Sequence, residues 1–270
     1  MAGRICVVTG ATGGIGAATA AGLAGSGARV ALVARSAERG AALQARLTRE
    51  GGDARLFVAD LATQADVRRL AAELAAAFPR IDVVVNNAGT FSWTRRRTNE
   101  DVELQWAVNH LAPYLLTRLL MPRLGEDARV VNVSSNSHYQ GAIDPRDPTG
   151  ERRRYSGLRA YAATKLANVL FTRELSRRAP TVTVSALHPG VVATEILLGS
   201  FPPLRLLKHR MRTPEQGAET VIYLATAAEA AGRTGEYWQD ERPREPSAAA
   251  LDDVLARSLW EWSEAAVGGV

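Results

Sequence analysis

Short, continuous runs of apolar residues alternate along the chain with longer segments whose apolar positions recur at helical spacing. The apolar runs predict buried strands at residues 5–8, 30–34, 56–58, 83–85, 129–133, 182–187 and 236–238. The segments between them predict helices at residues 14–25, 37–49, 67–78, 102–120, 158–177, 215–227 and 251–265. Strands that are apolar on both faces and separated by helices are typical of a parallel sheet covered on both sides. The pattern therefore predicts an α/β fold with a doubly wound parallel sheet and right-handed crossovers.

Two irregular segments interrupt this alternation, at residues 136–159 and 191–212. Loops of this length in a compact domain usually carry function. We interpret the first as an insertion and the second as a lid over an apolar substrate. The large apolar residues of the lid are Ile196, Leu197, Leu198, Phe201, Leu204, Leu206 and Leu207. The less favoured alternative is an amphipathic membrane contact with Lys208, Arg210 and Arg212 as its basic edge.

The composition narrows the class of protein. Of 270 residues, 46% are hydrophobic and 23% are charged, which excludes a disordered or low-complexity chain. The single cysteine, Cys6, cannot form an intrachain disulfide, and no apolar run approaches the roughly 18 residues of a membrane span. The N-terminus enters the first strand without a signal-peptide pattern, so we expect a cytoplasmic protein. The lack of a linker or an internal repeat predicts one domain over residues 1–270.

The charge of the chain is moderately basic. Its formal value is +5, and two of the 33 basic residues are lysines, Lys165 and Lys208, while the other 31 are arginines. The basic runs at residues 95–97 and 152–154 are short and lack a platform of stacking aromatic residues, so we expect a solvated surface and no nucleic-acid partner. The four histidines are His110, His138, His188 and His209. Their spacing does not suit metal ligation, so we expect no metal site.

A glycine-rich turn lies between the first predicted strand and the first predicted helix, where residues 9–16 are TGATGGIG. Gly10 suits the tight turn off the strand, and Gly14 and Gly16 let backbone amides approach a pyrophosphate at the positive end of the helix. A glycine-rich turn without a ligand is the alternative. Because a dinucleotide requires this strand–turn–helix context, the sequence favours a Rossmann-type nucleotide site.

The Gly-x3-Gly-x-Gly spacing resembles that of the short-chain dehydrogenase/reductase family, and the resemblance extends through most of the chain. Further family motifs follow in order: Asp60 after the third strand, NNAG at residues 86–89, Asn109, the pair Ser134 and Ser135, YAATK at residues 161–165 and PGVVAT at residues 189–194. The 26-position gap from Ser135 to Tyr161, the sequence LANVLF after Lys165 and the sequence HPG at residues 188–190 resemble the retinol-dehydrogenase-like branch. The resemblance implies a hydrophobic alcohol, aldehyde or ketone as substrate.

The resemblance also implies a role for each motif. The implied catalytic residues are Asn109 as the support of a proton-relay water, Ser135 as the holder of the substrate oxygen, Tyr161 as the general acid/base and Lys165 as the cation beside it. The implied cofactor contacts are Gly10, Thr12, Gly14, Ile15, Gly16, Asp60, Leu61, Asn87, Ala88, Gly89, Tyr161, Lys165, Pro189, Gly190, Val192 and Thr194. The helices predicted at residues 102–120 and 158–177 are the implied surfaces of a homodimer or homotetramer, although monomers occur in related branches.

The residue types suit hydride transfer on chemical grounds as well. When hydride leaves or joins carbon, a proton must move at the oxygen, and a tyrosine with its usual pKa of about 10 is a poor base at neutral pH. Lys165 lies four residues after Tyr161, so both share a helix face. We expect the ammonium, together with the positive charge of the nicotinamide in the oxidised cofactor, to lower the pKa of the tyrosine. Ser135 is expected to face the substrate, and Ser134 the other side of the sheet. The alternative for Tyr161 is an aromatic residue packed in the core, and the alternative for Lys165 is a cation at the surface.

The end of the second predicted strand decides the choice of cofactor. An NAD site places a carboxylate there for the ribose 2′-hydroxyl, whereas residues 30–34 are followed by Arg35. A guanidinium can pair with a 2′-phosphate, so we predict NADP(H) rather than NAD(H). A solvated arginine is the alternative. The glycine turn carries Thr12 and Gly13 where the family's other NADP signal would place a basic residue.

Together these features predict an oxidoreductase that transfers a hydride between NADP(H) and a hydrophobic alcohol, aldehyde or ketone. A regulatory protein that senses NADP(H) on the same fold is the alternative, although such proteins usually lose the tyrosine and the lysine. A nucleotide-sugar epimerase or dehydratase shares the Tyr-x3-Lys motif. Those enzymes typically need a longer C-terminal substrate domain than the 76 residues after Thr194 provide.

Overall fold

The computed structural model describes the backbone of residues 1–270 and the side chains of all residues except Ile196 and residues 204–207. Its strands are β1 (Ile5–Thr9), β2 (Arg29–Ala34), β3 (Asp53–Val58), β4 (Ile81–Asn86), β5 (Leu124–Val133), β6 (Thr183–His188), β7 (Glu236–Gln239) and β8 (Arg242–Arg244). They form one eight-stranded sheet in the order β3-β2-β1-β4-β5-β6-β7-β8. Neighbouring strands are parallel except β7 and β8. The predicted α/β fold with a doubly wound parallel sheet is therefore confirmed.

Helices cover both faces of the sheet. They are α1 (Gly14–Gly25), α2 (Ala37–Arg49), α3 (Gln64–Ala77), α4 (Leu104–Trp106), α5 (Ala112–Leu120), α6 (Gly157–Arg178), α7 (Glu195–Ser200), α8 (Pro214–Thr226) and α9 (Asp253–Ala266). A π-helical turn, Ala107–Leu111, joins α4 to α5 without a break. The α2 bounds match the predicted segment at both ends. β5 begins at Leu124, before the predicted strand at residues 129–133, because the polar residues in its first half do not form an apolar run. None of the helices whose residues are described is long and apolar enough to cross a membrane.

The sheet separates two apolar cores. Val7 of β1 points to the core formed with α3, α5 and the C-terminal part of α6, whereas Cys6 and Val8 point to the core formed with α1, α2 and α8. This alternation follows from the two-residue period of a strand. Because every central strand is buried on both faces, its sequence is a continuous apolar run, which explains why the strands could be located from the sequence.

The strand β8 was not predicted. Its sequence is Arg-Pro-Arg, its three residues are exposed, and it pairs with β7 through a two-residue turn at Asp240 and Glu241. Both turn residues have positive φ, 54° and 57°, as hairpin turns of this length require. Pro243 is tolerated because β8 lies at the edge of the sheet, where one side of the strand needs no partner. No apolar pattern marks such a strand.

The helix α9 lies across α5 and α6. The ring of Trp260 packs against Tyr114 at 5.0 Å and Phe171 at 6.0 Å between centroids. His110 Nε2 lies 2.8 Å from the Ser263 hydroxyl oxygen. α9 thus packs on part of the two helices that were predicted to form a homodimer or homotetramer surface, and the oligomer stays a prediction.

The segment at residues 191–212 is folded and fixed at both ends. It contains α7 and a 3₁₀ helix, Pro202–Arg210. The Ala193 amide donates to the Arg212 carbonyl at 3.0 Å, and the Arg212 amide donates to the Val191 carbonyl at 2.9 Å. The predicted lid residues Ile196, Leu204, Leu206 and Leu207 lie outside the described side chains. The other irregular segment begins with a 3₁₀ turn, Asn136–Gln140, and ends where α6 starts.

Candidate active site

The loops after four neighbouring strands meet at the carboxyl edge of the sheet. The strand order reverses between β1 and β4, and open parallel sheets bind ligands in the crevice at such a reversal. The glycine turn follows β1, residues 87–89 follow β4, Ser135 follows β5 and residues 189–194 follow β6. The first half of α6 brings Tyr161 and Lys165 to the same edge. The structure therefore gathers the predicted motifs in one region.

Three glycines of the turn, Gly10, Gly14 and Gly16, have no room for a Cβ atom. Gly10 and Gly14 have φ of +66° and +50°, which other residues rarely adopt. A Cβ on Gly16 would lie 2.3 Å from the Gly10 carbonyl oxygen, and one on Gly14 would lie 3.0 Å from the Thr194 methyl carbon. The turn thus exposes backbone at the start of α1, where amides and the helix dipole favour a phosphate. These residues fit the pyrophosphate of a dinucleotide.

The segment after β4 is locked to this turn by hydrogen bonds. The Thr9 hydroxyl accepts from the amides of Asn87 and Ala88, each at 3.0 Å. The Asn87 side-chain amide donates to the Thr9 carbonyl at 2.8 Å. Gly89 lies where an added Cβ would be 3.5 Å from Asn109 Oδ1. The two loops therefore form one rigid wall beside the crevice.

Tyr161 and Lys165 lie in a desolvated position one helical turn apart. Burial raises the pKa of Tyr161 to about 12, and a hydrogen bond with Ser135 acts in the opposite direction. Burial lowers the pKa of Lys165 to about 8. The ammonium donates to the Val133 carbonyl at 3.0 Å and lies 5.5 Å from the centre of the tyrosine ring. In the protein without cofactor, desolvation of the tyrosine outweighs the effects that favour the phenolate. The predicted lowering of the tyrosine pKa also counts the positive charge of an oxidised nicotinamide, and it stays a prediction.

The two adjacent serines have different surroundings. Ser134 is buried, and its hydroxyl donates to the Lys165 carbonyl at 2.8 Å. Ser135 lies beside Tyr161, and its hydroxyl oxygen accepts from the Ser137 amide at 3.1 Å. Ser134 therefore fixes the chain after β5 to α6. The prediction that it faces the other side of the sheet is wrong, because α6 also carries Tyr161, where the hydroxyl of Ser135 lies.

Asn109 lies in the π-helical turn and is fully buried. Its side-chain amide donates to the Thr90 carbonyl at 3.0 Å and to the Thr164 hydroxyl at 3.1 Å. Its side-chain oxygen accepts from the Thr90 amide at 2.7 Å. Asn109 therefore connects the loop after β4 to α6 next to Lys165. Single π-helical turns are frequent at functional sites.

The residues after β6 pack onto the start of α1 and of α8. Gly190 has φ of +87°, and an added Cβ would lie 2.5 Å from Arg212 Cδ. Val192 is buried, and both Val192 and Ile15 approach the position that a Cβ on Gly217 would take, at 2.6 and 3.1 Å. Pro189 is buried, and Thr194 caps α7 by accepting from the Leu197 amide at 3.4 Å. Ile15 and Val192 thus both pack against α8 at Gly217.

Two arginines lie at the end of the crevice next to β2: Arg35, which was predicted, and Arg39, which was not. Arg35 is exposed, and it forms no hydrogen bond or ion pair within the described part of the chain. Arg39, in the first turn of α2, donates to the Thr12 carbonyl at 3.0 Å and pairs with Glu195 at 3.4 Å. Arg39 lies in the first turn of the helix that begins just after Arg35. A second arginine so close in the sequence was the signal that could have identified it.

Asp60 and Leu61 lie at the same end of the crevice, after β3. One Asp60 carboxylate oxygen accepts from the Ala62 amide at 3.0 Å, and the Asp60 amide donates to Asp66 at 2.9 Å. Leu61 packs against the core on the α3 face. Asp60 thus shapes the turn into α3 with one of its oxygens.

Aromatic residues stand over Tyr161, and we call Phe91, Trp93 and Phe201 the aromatic mouth. Phe91 lies 5.8 Å from the Tyr161 ring, 5.0 Å from Trp93 and 5.3 Å from Phe201. Trp93 also donates its indole N–H to the Ser200 carbonyl at 2.7 Å. The segment predicted as a lid is thus joined to the loop after β4, and Phe91 of that loop contacts the tyrosine ring. Sequence analysis did not predict Phe91 and Trp93 as site residues. Two aromatic residues just after the NNAG motif, in a chain with only 6% aromatic residues, could have indicated them.

Comparisons with known proteins agree with this geometry. The sequence profile of the family described as short chain dehydrogenase matches residues 4–202. DnrU of Streptomyces sp. (strain C5), whose name assigns it provisionally to daunorubicin C-13 ketoreduction, is 41% identical over 268 residues, which cover 98% of this chain and 93% of DnrU. Retinol dehydrogenase 14 of Mus musculus is 40% identical over 293 residues, which cover 99% of this chain and 87% of the mouse protein.

A solved structure supports the same relationship. The short chain dehydrogenase from Burkholderia cenocepacia J2315 in complex with NADP superposes with a TM-score of 0.72 at 28% sequence identity. The superposition covers 93% of this chain and 99% of that one. Within the described residues, no group of three or more histidine, cysteine or acidic side chains is placed to hold a metal ion.

Proposed function

The chain belongs to the short-chain dehydrogenase/reductase family, in its retinol-dehydrogenase-like branch, and is an oxidoreductase; from this premise we propose that it transfers a hydride between NADP(H) and a hydrophobic alcohol, aldehyde or ketone. The observation that carries the proposal is the meeting of Tyr161, Ser135 and Lys165 at the carboxyl edge of the sheet. A proton donor, a hydroxyl and a cation at one point are the groups that carbonyl reduction requires.

The residues at the carboxyl edge would hold the cofactor along the crevice. The amides at Gly14, Ile15 and Gly16 suit the pyrophosphate, because a Cβ at either glycine would approach neighbouring atoms at 3.0 Å or less. Thr12, Asp60 and Leu61 would line the adenosine end. The segment after β4 and the segment after β6 would enclose the nicotinamide end; these residues are Asn87, Ala88, Gly89, Pro189, Gly190, Val192 and Thr194.

Tyr161 acts as the general acid/base in this proposal. When bound, the nicotinamide supplies hydride to the substrate carbon or accepts it from there. In the reductive direction, Tyr161 donates its phenolic proton to the carbonyl oxygen, and in the oxidative direction its phenolate takes the hydroxyl proton. The Ser135 hydroxyl holds the same oxygen, and Lys165 stabilises the phenolate. Asn109 keeps Thr90 and Thr164 in place beside Lys165, and its support of a proton-relay water stays a prediction.

The preference for NADP(H) rests on the cations at the adenosine end. Arg35 follows the end of β2 and Arg39 lies in the first turn of α2; both are exposed, and no acidic residue ends β2. A carboxylate there would favour the 2′-hydroxyl of NAD, whereas guanidinium groups favour the 2′-phosphate. The related Burkholderia cenocepacia structure contains NADP, which agrees with this choice.

The hydrophobic substrate class is supported by the aromatic mouth and by two relatives. Phe91, Trp93 and Phe201 present apolar rings above the tyrosine. The relatives are named for a ketoreductase and for a retinol dehydrogenase. Because Trp93 and Phe201 join the segment at residues 191–212 to the site, we favour its role as a substrate lid over a membrane contact.

One assay tests the function. The oxidation of NADPH is followed with a panel of hydrophobic aldehydes and ketones, for the wild type and for Tyr161→Phe. We expect turnover on part of the panel and a loss of about 10³-fold in Tyr161→Phe, with NADPH binding preserved, because a general acid contributes about 10² to 10⁴-fold. NADPH binding without turnover on any substrate would instead support a sensor.

A further inference from the structure

His138 is a fully buried histidine that the proposed mechanism does not use. It lies in the 3₁₀ turn directly after Ser135 and is 0% exposed. Its Nδ1 lies 2.8 Å from the Ser135 carbonyl oxygen, and its Nε2 lies 3.1 Å from the Ser247 amide nitrogen. The His138 ring is therefore held between two backbone groups inside the fold.

These two partners determine the protonation of the ring. A carbonyl oxygen only accepts, and a backbone amide only donates. His138 therefore carries its proton on Nδ1, donates to Ser135 and accepts from Ser247. An imidazolium would turn a second N–H against the Ser247 amide. Burial also lowers the pKa of His138, which favours the neutral ring.

We propose that His138 is a positioning residue for the reaction, which holds the backbone of Ser135 against the C-terminal segment so that the Ser135 hydroxyl faces Tyr161. The inference rests on the proposed function of Ser135 and Tyr161. The serine hydroxyl is engaged from its other side by Ser137, whose amide donates to it at 3.1 Å. Backbone and side chain of the serine are thus each held by a separate residue of the same turn.

The surroundings of His138 make this anchor rigid. The rings of Tyr139 and Tyr237 lie 4.1 and 4.5 Å from the imidazole centre. The Tyr237 hydroxyl donates to the Asn136 side-chain oxygen at 3.0 Å, so the turn is also fixed to β7. The His138 ring donates to Ser135 with one nitrogen and accepts from Ser247 with the other. It therefore connects Ser135 to the C-terminal segment, since Ser247 lies 109 positions after His138.

Three substitutions separate the two hydrogen bonds. In His138→Asn the amide nitrogen occupies the place of Nδ1 and keeps the donor to Ser135, whereas in His138→Gln the amide oxygen occupies the place of Nε2 and keeps the acceptor for Ser247. His138→Leu removes both. We expect kcat to fall at least about tenfold in His138→Leu and His138→Gln, and about threefold in His138→Asn, since a factor of ten is about 1.4 kcal/mol, the size of one such bond. NADPH binding should stay within twofold.

A double-mutant cycle with Ser135→Ala distinguishes positioning from general stabilisation. If His138 acts through Ser135, His138→Leu costs no further kcat in the Ser135→Ala background. An equal loss in both backgrounds, or a wild-type kcat in His138→Leu, would overturn the proposal. Tyr139→Phe, which removes only the hydroxyl bond to the Glu245 carbonyl from the same turn, is the matched control and should stay within threefold of wild type.

A second measurement does not depend on turnover. Hydrogen–deuterium exchange of residues 134–140 should be faster in His138→Leu and close to wild type in His138→Asn, with the rest of the sheet unchanged. Unchanged exchange in this segment would contradict the anchor. If His138→Leu does not fold, the comparison of His138→Asn with His138→Gln decides alone. A wild type without turnover on any carbonyl refutes the proposed function, while the exchange result still tests the anchor.

Discussion

At the scale of single residues, desolvation determines the resting protonation state of Tyr161 and Lys165 in the protein without cofactor. With the tyrosine pKa raised to about 12, the phenol is protonated at neutral pH and ready to donate. The lysine, with its pKa lowered to about 8, still carries its charge below that value. Reduction of a carbonyl therefore starts from the resting state of the pair, whereas oxidation of an alcohol requires the phenolate.

A pH profile checks this assignment. At pH values below the pKa of a tyrosine, the phenolate fraction rises about tenfold for each pH unit. We expect kcat/KM for alcohol oxidation to rise between pH 7 and 9, while carbonyl reduction stays level up to pH 7 and declines as Lys165 loses its proton through about 8. The measurement is kcat/KM in both directions over pH 6–10. A level oxidation profile would contradict Tyr161 as the base.

The choice of cofactor is also decided by single residues. Arg35→Ala and Arg39→Ala should each weaken NADPH about tenfold or more and leave NADH nearly unchanged, because a hydrogen bond to a charged group contributes about 1.5–3 kcal/mol. Arg46→Ala, in the same helix but paired with Glu50, is the control. Binding of both cofactors is measured by titration of NADPH and NADH fluorescence. Equal losses for the two would remove the arginines from the 2′-phosphate.

At the scale of elements, the segment at residues 191–212 is a strap between two fixed ends. The backbone bonds between residues 191–193 and Arg212 close its base, and the Trp93–Ser200 hydrogen bond holds its middle over Tyr161. Trp93 is nevertheless 52% exposed, so the contact lies at the surface. The strap is therefore held at both ends and at its middle and is not a free loop.

Substitution of Trp93 separates closure from contact with the substrate. Trp93→Phe keeps an aromatic ring but loses the donor to Ser200, and Trp93→Ala loses both. We expect KM for a hydrophobic ketone to rise about tenfold in Trp93→Ala and less in Trp93→Phe, since an aromatic contact and a hydrogen bond each contribute about 1 kcal/mol. Steady-state kinetics with saturating NADPH measures this. A change in NADPH binding alone would place Trp93 at the cofactor instead.

At the scale of the whole molecule, periodicity located the sheet and its helices because strands buried on both faces are continuous apolar runs. Features that depend on backbone conformation or on distant contacts were not predictable in this way. The β8 hairpin depends on positive φ at Asp240 and Glu241. Trp93 meets Ser200 across 107 positions, so no local pattern marks that contact. The motif residues could be named because each motif is a short local sequence, whereas the contact of Arg39 with the glycine turn exists only in three dimensions.

The burial of Lys165 has a practical consequence for amine chemistry. The chain has two lysines, of which Lys165 is 4% exposed and Lys208 is exposed. An N-hydroxysuccinimide ester should therefore modify Lys208 and the N-terminal amine rapidly and Lys165 slowly, and bound NADPH should slow Lys165 further. Peptide mass spectrometry over a time course measures the three rates, and equal rates for the two lysines would contradict the burial. The protein can accordingly be coupled to a surface through Lys208 with its catalytic amine left unmodified.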